Sequence, residues 1–250
     1  MANRVTIRVY EELNDFLHNS RRKKPFVITF IGKRTIKDII ESLGIPHTEI
    51  DLILANGESV TFNYYPSDKD YISVYPVFES LDIRDVTRLR PLPLREPKFV
   101  LDVHLGTLAH YLRMTGFDSY YRNDLADDEI IRISLADQRI ILPRDLPLLK
   151  NGKVTHGYFV RETNPRKQLR EVIQRFDLRK QVNPFTRCMD CNGMIEEIEK
   201  ELIKDSVNAK TLIHISEFFR CRSCGKVYWK GSHYDKMQGL IREFGDLEIR

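Results

Sequence analysis

Two short cysteine motifs constrain this chain more than any other feature of its sequence. The motifs RCMDCNG and FRCRSCG hold all four cysteines, and each pair is followed by Asn-Gly or Gly, which suit a tight turn. The four thiols belong to Cys188, Cys191, Cys221 and Cys224. Two such turns can surround one Zn²⁺ with four thiolates and leave no open position for water. The pattern predicts a structural zinc ribbon, with a redox pair or free buried cysteines as the alternatives.

Composition and charge narrow the class of protein. The 250 residues are 42% hydrophobic, which is typical of a globular chain with a substantial core. The first residues, MANRVTIRVYEELNDFL, lack the basic and then apolar pattern of a signal peptide, and no apolar stretch is long enough for a membrane span. We therefore expect a soluble, cytoplasmic protein. A net charge of +4 is too small to establish a polyanionic partner by itself.

The N-terminal segment, residues 1–85, has the element order of a β-grasp domain. Two strand patterns, VTIRVY and FVITFIG, precede a helix pattern, TIKDIIESLGI, with an apolar stripe. A hairpin around Asn56-Gly57 and a last strand, DYISVYPVF, follow. The segment resembles the ubiquitin-like sulfur-carrier proteins in this order. The chain continues past this segment without the terminal Gly-Gly pair through which those carriers react. We therefore expect a docking role with a protein partner instead of conjugation.

A basic stretch separates this segment from the rest of the chain. VTRLRPLPLREPK carries three prolines, which remove backbone donors and favour an extended chain. We place a linker at residues 86–97. The predicted domains are then the β-grasp domain at 1–85, an α/β core at 98–182, and a ribbon with a C-terminal tail at 183–250.

Strand and helix patterns alternate from residue 98 to residue 182. FVL ends on Asp102 and is followed by a helix, then IIL follows a second helix and leads to Asp145. VTHGYFVR reads as a further strand, and Asn164-Pro165 as the start of another helix. Alternation of this kind predicts a parallel sheet covered on both faces. The fold class is therefore α/β.

Acidic residues stand where the strands of this predicted sheet end. Ligands of parallel sheets bind at the carboxyl ends of the strands, where Asp102 and Asp145 lie. Asp124, Asp127 and Asp128 open the intervening helix. Carboxylates brought close together repel each other unless a cation joins them, and hard oxygen ligands suit Mg²⁺ or Mn²⁺. The alternative for each residue alone is a helix cap or a turn.

Three motifs together resemble a known nuclease family. FVLDVHLGTLAHYLRMTGFD, DLADDEIIRISLADQRIILPRD and the cysteine motifs resemble the Mut-7 C-terminal RNase domain, a PIN-like fold followed by a zinc ribbon. The preceding segment resembles the ubiquitin-like domain that is fused to that family. The resemblance implies a metal-dependent RNase in which Asp102, Asp127 and Asp145 bind the cation, with Asp124 and Asp128 as further members. Pro143 stands where the family commonly has Thr.

Cationic and aromatic side chains are candidates for substrate contact. Arg113 and Arg144 lie near the expected crevice and can hold phosphate, although a solvated or salt-bridged state explains them equally well. The segment after the second cysteine pair combines aromatic and basic residues, which can stack bases and bind phosphates. Its candidates are Trp229, Lys230, His233 and Tyr234. Packing of Trp229 against the core is the alternative.

The leading hypothesis is a divalent-metal RNA endonuclease with catalytic Mg²⁺ or Mn²⁺ and a structural Zn²⁺. Its expected partners are RNA, including structured RNA such as tRNA, and a protein that docks on the β-grasp domain. The alternative is an RNA-binding or scaffold protein with a degenerate nuclease site. A sulfur-transfer accessory is a third hypothesis, which the missing Gly-Gly pair disfavours.

Overall fold

The computed structural model describes residues 2–76, 83, 86–89 and 97–242. Most of the predicted linker, at 90–96, lies outside the described residues, as does the tail at 243–250. The chain forms two compact units, the first from Met1–Glu96 with Asp127–Phe159 and the second from Pro97–Ala126 with Val160–Arg250. The chain therefore contributes two separate segments to each unit. The domain boundaries drawn from composition stay predictions.

The first unit contains a five-stranded mixed sheet in the order β2-β1-β5-β3-β4. Its strands are β1 (Ala2–Val9), β2 (Phe26–Ile31), β3 (Ile50–Ala55), β4 (Glu58–Ser59) and β5 (Tyr71–Pro76). β1 is parallel to β5, whereas β2 pairs with β1, and β3 with β4 and β5, in antiparallel register. Helix α1 (Ile36–Ser42) begins after Thr35, whose hydroxyl accepts the N–H of Asp38. This is the predicted β-grasp order.

The predicted hairpin between β3 and β4 is confirmed. Asn56 and Gly57 have φ angles of +52° and +90°, the left-handed conformation that a tight two-residue turn requires. The Asn56 side chain also donates to Asp70, which fixes the turn against the loop before β5.

Asp70 is a buried carboxylate that ties this end of the β-grasp sheet together. It accepts from the Asn56 amide at 2.8 Å, from the Tyr64 hydroxyl at 2.7 Å and from the Ser67 N–H at 2.7 Å. Burial opposes ionisation of the carboxyl, but these hydrogen bonds outweigh it and lower the pKa of Asp70.

The lowered pKa predicts an acid-sensitive contribution to stability. The stabilisation is fully present above the unfolded-state pKa of about 4 and is lost as pH falls through the lower folded-state pKa. We expect Asp70→Ala to lower the free energy of unfolding by about 1–3 kcal/mol at pH 7, because three donors lose their acceptor. Urea unfolding at pH 7 and at pH 3 measures this difference. An equal loss at both pH values would contradict the prediction.

The second segment of the first unit carries three of the sequence-predicted acidic positions, Asp127, Asp128 and Asp145. It contains α3 (Asp127–Asp137), β8 (Ile140–Leu142) and α4 (Pro147–Lys150). The strand predicted for VTHGYFVR is wrong in extent, since only a parallel bridge between Gly157 and Ile141 forms. A Cβ at Gly157 would lie 2.3 Å from a Leu149 methyl carbon, so the chain here passes too close to α4 for an ordinary strand residue.

Buried polar contacts attach this segment to the β-grasp sheet within the first unit. The His47 ring donates from Nε2 to the carbonyl of Val154 at 2.8 Å, and its Nδ1 lies 2.7 Å from Glu41 Oε1. Glu49 is fully buried, and its Oε1 accepts the N–H of Phe159 at 2.7 Å. The β-grasp part therefore holds the chain that flanks β8 on its C-terminal side.

This attachment predicts a large effect of Glu49 on the stability of the first unit. We expect Glu49→Ala to lower the free energy of unfolding by about 2–4 kcal/mol, because it opens a cavity and leaves the Phe159 N–H without its acceptor. Glu49→Gln keeps the volume and one acceptor oxygen, and it is the matched control with a smaller loss. Chemical denaturation of the three proteins measures the difference. Equal stability of Glu49→Ala and the unmodified chain would exclude the proposed anchoring.

The second unit contains a parallel pair of strands and two packed helices. β6 (Phe99–Leu101) is parallel to β7 (Ser119–Tyr120), and α2 (Gly106–Met114) packs against α5 (Pro165–Arg175). Asn164 caps α5 by accepting from the N–H groups of its first turn, as the Asn-Pro pattern predicts. Phe99 is fully buried, 6.4 Å from the ring centre of Phe117 and 5.7 Å from that of Phe176.

A three-stranded antiparallel sheet completes the second unit. Its order is β11-β10-β9, formed by β9 (Ile195–Ile198), β10 (Phe218–Cys221) and β11 (Val227–Trp229). α6 (Ala209–His214) lies in the connection before β10, and α7 (Ser232–Arg242) follows β11. Among the described residues, no helix combines the length and apolar character needed to cross a membrane.

Candidate metal centre and nuclease site

The two CxxC motifs fold into matching turns. The N–H of Asn192 donates to Cys188 O at 2.9 Å, and the N–H of Gly225 donates to Cys221 O at 3.0 Å. Asn192 and Gly225 adopt φ angles of +70° and +76°, so each turn ends on a left-handed residue. At Gly193 a Cβ would lie 2.4 Å from Ser223 Oγ, which explains why glycine follows Asn192 in the first motif.

The matching turns bring four sulfur atoms together. The Cys188 and Cys224 sulfurs are 3.6 Å apart, those of Cys191 and Cys221 are 3.4 Å apart, and all four lie within 4.8 Å of one another. A tetrahedral Zn²⁺ with bonds of about 2.3 Å would space its sulfur ligands by about 3.8 Å. The cluster therefore fits a Cys₄ zinc ion, and the clustering of the cysteines that the sequence predicts is confirmed.

Hydrogen-bond donors surround the sulfur atoms. The N–H of Cys191 points to Cys188 Sγ at 3.5 Å, and the N–H of Ser223 points to Cys221 Sγ at 3.4 Å. The Tyr228 hydroxyl lies 3.0 Å from Cys188 Sγ. Burial and the neighbouring Cys188 raise the pKa of Tyr228, so its hydroxyl stays protonated and can donate to a thiolate at Cys188. These donors would stabilise the negative charge of a metal-bound thiolate.

The Tyr228 contact predicts that the unmodified protein loses zinc more slowly than a variant without the Tyr228 hydroxyl. We expect Tyr228→Phe to weaken zinc retention by about 10–100-fold, the usual effect of removing a hydrogen bond to a metal ligand. Release of zinc to a chromogenic chelator measures the change. Tyr71→Phe removes a half-exposed tyrosine hydroxyl from the other unit and is the control. Identical release from Tyr228→Phe and the control would show that the hydroxyl does not support the metal.

Arg113 and Asn192 join the first cysteine turn to α2 and to strand β7 of the second unit. Arg113 is 4% exposed, and its guanidinium donates to the carbonyls of Ser119, Met189 and Asp190 at 2.9, 3.1 and 2.7 Å. The Asn192 side chain accepts the Ser119 N–H at 3.0 Å. Burial lowers the pKa of Arg113, opposed by the nearby cysteine sulfurs and carboxylates. These contacts engage the guanidinium, and a role of Arg113 in substrate contact stays a prediction.

Asp102 stands directly after β6, at the carboxyl end of the parallel pair. It is 8% exposed, and its Oδ1 accepts the N–H of His104 at 3.4 Å, at the start of a single 3₁₀ turn. Tyr121, which follows β7, donates its hydroxyl to Val103 O at 3.0 Å. The Tyr121 hydroxyl lies so close to Gly106 that a Cβ there would be 2.6 Å from it. Tyr121 and Gly106 therefore fix the turn that carries Asp102.

The remaining acidic candidates lie outside this turn. Asp145 is exposed and follows β8 after Pro143 and Arg144, and its Oδ1 accepts the N–H of Leu148 at 3.4 Å. Asp127 and Asp128 are exposed in the first turn of α3. Asp124 is exposed and paired with Arg122 at 2.8 Å, which lowers its pKa. Asp102 and Asp124 belong to the second unit, and the other three belong to the first.

Two of these carboxylates act as the caps that the alternative interpretation predicts. Asp102 and Asp145 each accept a backbone N–H through Oδ1. Capping uses one of the two oxygens of a carboxylate, and the other oxygen remains able to bind a metal ion. The capping contacts therefore neither exclude a metal-binding role nor demonstrate one. The metal-binding role of the acidic residues stays a prediction.

The aromatic and basic candidates lie on the ribbon and α7. Trp229 is 40% exposed and packs one side against Phe218, with ring centres 6.4 Å apart. Lys230 pairs with Glu217. Tyr234 packs on Phe185 at 4.6 Å and accepts from the Gln238 amide, whereas His233 is exposed. Trp229 and His233 therefore keep exposed surface, while Tyr234 is largely committed to packing.

Sequence reasoning did not find the roles of Tyr228, Asn192 and Arg113. Tyr228 follows the last cysteine by four positions, and Asn192 follows the first pair directly, so both were visible as neighbours of ligands. Their contacts depend on the fold, because Asn192 bonds to Ser119 and Asp118, far away in the sequence. Only the position of Asn192 in the turn, which favours a left-handed residue, could have been anticipated.

Comparison with known proteins agrees with this arrangement. Residues 2–82 match the family model described as Mut7-C ubiquitin, and residues 97–241 match the model described as Mut7-C RNAse domain. No curated protein matches the chain. The second match covers more than half of the 250 residues and includes the four-cysteine cluster, Asp102 and Asp145. The chain therefore belongs to the Mut7-C RNAse domain family, with a Mut7-C ubiquitin domain before it.

Proposed function

We propose that this protein is a divalent-metal-dependent ribonuclease that cleaves RNA internally. The observation that carries the proposal is the family match over residues 97–241, which indicates a nuclease and includes an acidic residue within three positions of the end of each of two buried strands. Asp102 follows β6, and Asp145 follows β8 after two intervening residues. Carboxylates at strand ends are the usual place for a ligand site in parallel sheets.

Asp102, Asp127 and Asp145 would hold a Mg²⁺ or Mn²⁺ ion through their carboxylate oxygens, with Asp124 and Asp128 as further members. Hard oxygen donors suit these ions. When bound, the ion would lower the pKa of a coordinated water and stabilise the charge that develops on the phosphate. Asp124 already pairs with the guanidinium of Arg122, so it is the weaker candidate.

The protein residues around the acidic positions would orient the RNA. Tyr121 fixes the turn of Asp102 through its hydroxyl, which keeps this carboxylate in one place during turnover. Arg144 precedes Asp145 and is half-buried, where it could bind a phosphate. Trp229 offers a partly exposed ring for base stacking, with Lys230 and His233 beside it in the sequence.

The four-cysteine site would have a structural role. Four sulfur ligands leave no position for a reacting water, and Arg113 and Asn192 connect the first cysteine turn to α2 and to β7, the strand that follows it. A resident Zn²⁺ would therefore support the local structure around Ser119 and the Asp102 turn instead of taking part in the reaction.

Incubation with total cellular RNA tests the proposal. The purified full chain is given Mg²⁺ or Mn²⁺, or a chelator too weak to remove thiolate-bound zinc, and the new RNA ends are sequenced. We expect new internal ends with the metal and none with the chelator. Ends confined to RNA termini would contradict internal cleavage, and metal-independent cleavage would contradict the mechanism.

A second candidate is an RNA-binding protein whose nuclease site is degenerate. Pro143 stands where the family commonly has Thr, and both Asp102 and Asp145 serve as caps. This candidate predicts RNA binding without new ends in the same experiment. It also predicts that neutralising Asp102 changes RNA affinity no more than the loss of any single negative charge.

A further inference from the structure

Strand β2 forms one edge of the β-grasp sheet and exposes aliphatic side chains. The strand order places β2 at the end of the sheet, and among the described residues it pairs with β1 alone. Phe30 is buried in the core, whereas Val27 is 50% exposed and Ile31 is 80% exposed on the opposite face. An exposed edge strand with this much apolar surface is uncommon, because it invites pairing with another chain.

The outer edge of β2 lacks partners within the described part of the chain. All six residues of Phe26–Ile31 are in register with β1, and no hydrogen bond from another described segment reaches their second edge. An edge of this length is normally protected by a bulge, a proline or a charge. Pro25 stands directly before β2, but Phe26–Ile31 itself holds no proline and no charged residue and pairs with β1 without a bulge, so the edge of these six residues is available for an added strand.

Positive charge flanks the edge on both sides. Lys23 and Lys24 precede β2, and Lys33 and Arg34 follow it. All four side chains are exposed and form no ion pair with the described residues. A segment that pairs with β2 would place its own two ends beside these cations. Acidic residues at both ends would therefore be attracted, and basic residues would be repelled.

The same charges argue against two other occupants. A second copy pairing antiparallel through β2 would place Lys23 and Lys24 beside Lys33 and Arg34 of the other copy, which is repulsive. RNA would profit from the cations, but the exposed side chains of the strand, Val27 and Ile31, offer no aromatic face for bases.

We propose that the outer edge of β2 binds an extended segment of a partner protein, in which alternating aliphatic residues are flanked on both sides by Asp or Glu. The segment would add a strand to the sheet through backbone hydrogen bonds, and its aliphatic side chains would cover Val27 and Ile31. The proposal assigns a partner chemistry to the ubiquitin-like domain, and its test measures binding instead of RNA cleavage.

Titration of the full chain with a synthetic peptide tests this assignment. The probe is a run of alternating Val and Ile flanked on both sides by Glu, and amide chemical shifts of the protein report the binding site. We expect the largest shifts along β2 and binding at least about tenfold tighter than for a peptide with Lys in place of Glu. A proline in the middle of the probe should abolish binding, because it removes backbone donors.

Two pairs of variants separate the contribution of the exposed aliphatic surface of β2 from that of the flanking positive charge. We expect Ile31→Ser and Lys33→Gln each to weaken binding, whereas Ile213→Ser and Lys210→Gln, at equally exposed positions of α6, leave it unchanged. The proposal is overturned if the proline-containing peptide binds equally well. It is also overturned if β2 instead mediates self-association of the chain, or if an oligoribonucleotide shifts the β2 amides and displaces the peptide.

Discussion

Replacement of Asp102 by Asn is expected to reduce RNA cleavage by at least about 100-fold, because a carboxylate that holds a catalytic cation contributes several kcal/mol to transition-state stabilisation. Asn keeps the volume of the side chain and an oxygen that can accept the N–H of His104. The turn after β6 should therefore survive, and the variant removes the charge alone. RNA affinity should not fall, because a single carboxylate repels the phosphates of RNA and contributes no attraction that the substitution could remove.

Single-turnover cleavage with Mn²⁺ and a parallel RNA-binding measurement distinguish these effects. Asp145→Asn should show the same loss of cleavage. Asp205→Asn neutralises an exposed residue of the second unit that has no proposed role and is the control. Full activity of Asp102→Asn would remove the residue from the proposed site, and a parallel loss of binding and cleavage would indicate damage to the fold.

Replacement of Cys221 by Ser is expected to have the largest effect on stability. Cys221 is 1% exposed, and its sulfur lies 3.4 Å from that of Cys191. Structural zinc sites contribute about 10–16 kcal/mol of apparent binding free energy in zinc-finger peptides. Loss of one of four thiolates should release most of that contribution and lower the melting temperature of the second unit by roughly 10 °C or more.

The effect should spread beyond the ribbon because the first cysteine turn is bonded to its surroundings. Arg113 donates to the carbonyls of Met189 and Asp190, and Asn192 accepts from Ser119. Hydrogen exchange of the α2 and β7 amides should therefore accelerate in the variant. Zinc content and thermal unfolding are measured with and without a strong chelator. A variant that retains one zinc per chain and the original melting temperature would contradict a four-thiolate site.

Local signals made several elements predictable from the sequence. Asn56-Gly57 supplied the left-handed residues of the β3–β4 hairpin, and Asn164-Pro165 supplied the cap and first residue of α5. The CxxC spacing was enough to predict four converging sulfurs. In each of these cases the residues that determine the structure lie within a few positions of one another.

Other features depend on contacts between distant segments. VTHGYFVR has the composition of a strand, but the close approach of Gly157 to Leu149 limits it to one bridge. Arg113 was a candidate for phosphate contact, and no local pattern indicates that its guanidinium bonds to carbonyls more than 70 positions away. The attachment of 127–159 to the β-grasp sheet through His47 and Glu49 also has no local signal, since each side chain alone resembles a surface residue.

Titration of the zinc-loaded protein with Mn²⁺, followed by electron paramagnetic resonance of the free ion, measures whether the acidic residues hold a divalent cation. The cysteines are occupied by zinc, so they do not compete for the added metal. We expect a Mn²⁺ site in the unmodified chain whose affinity falls by more than about tenfold in both Asp102→Asn and Asp145→Asn. Unchanged Mn²⁺ binding in these two variants would contradict a cation held by the acidic residues.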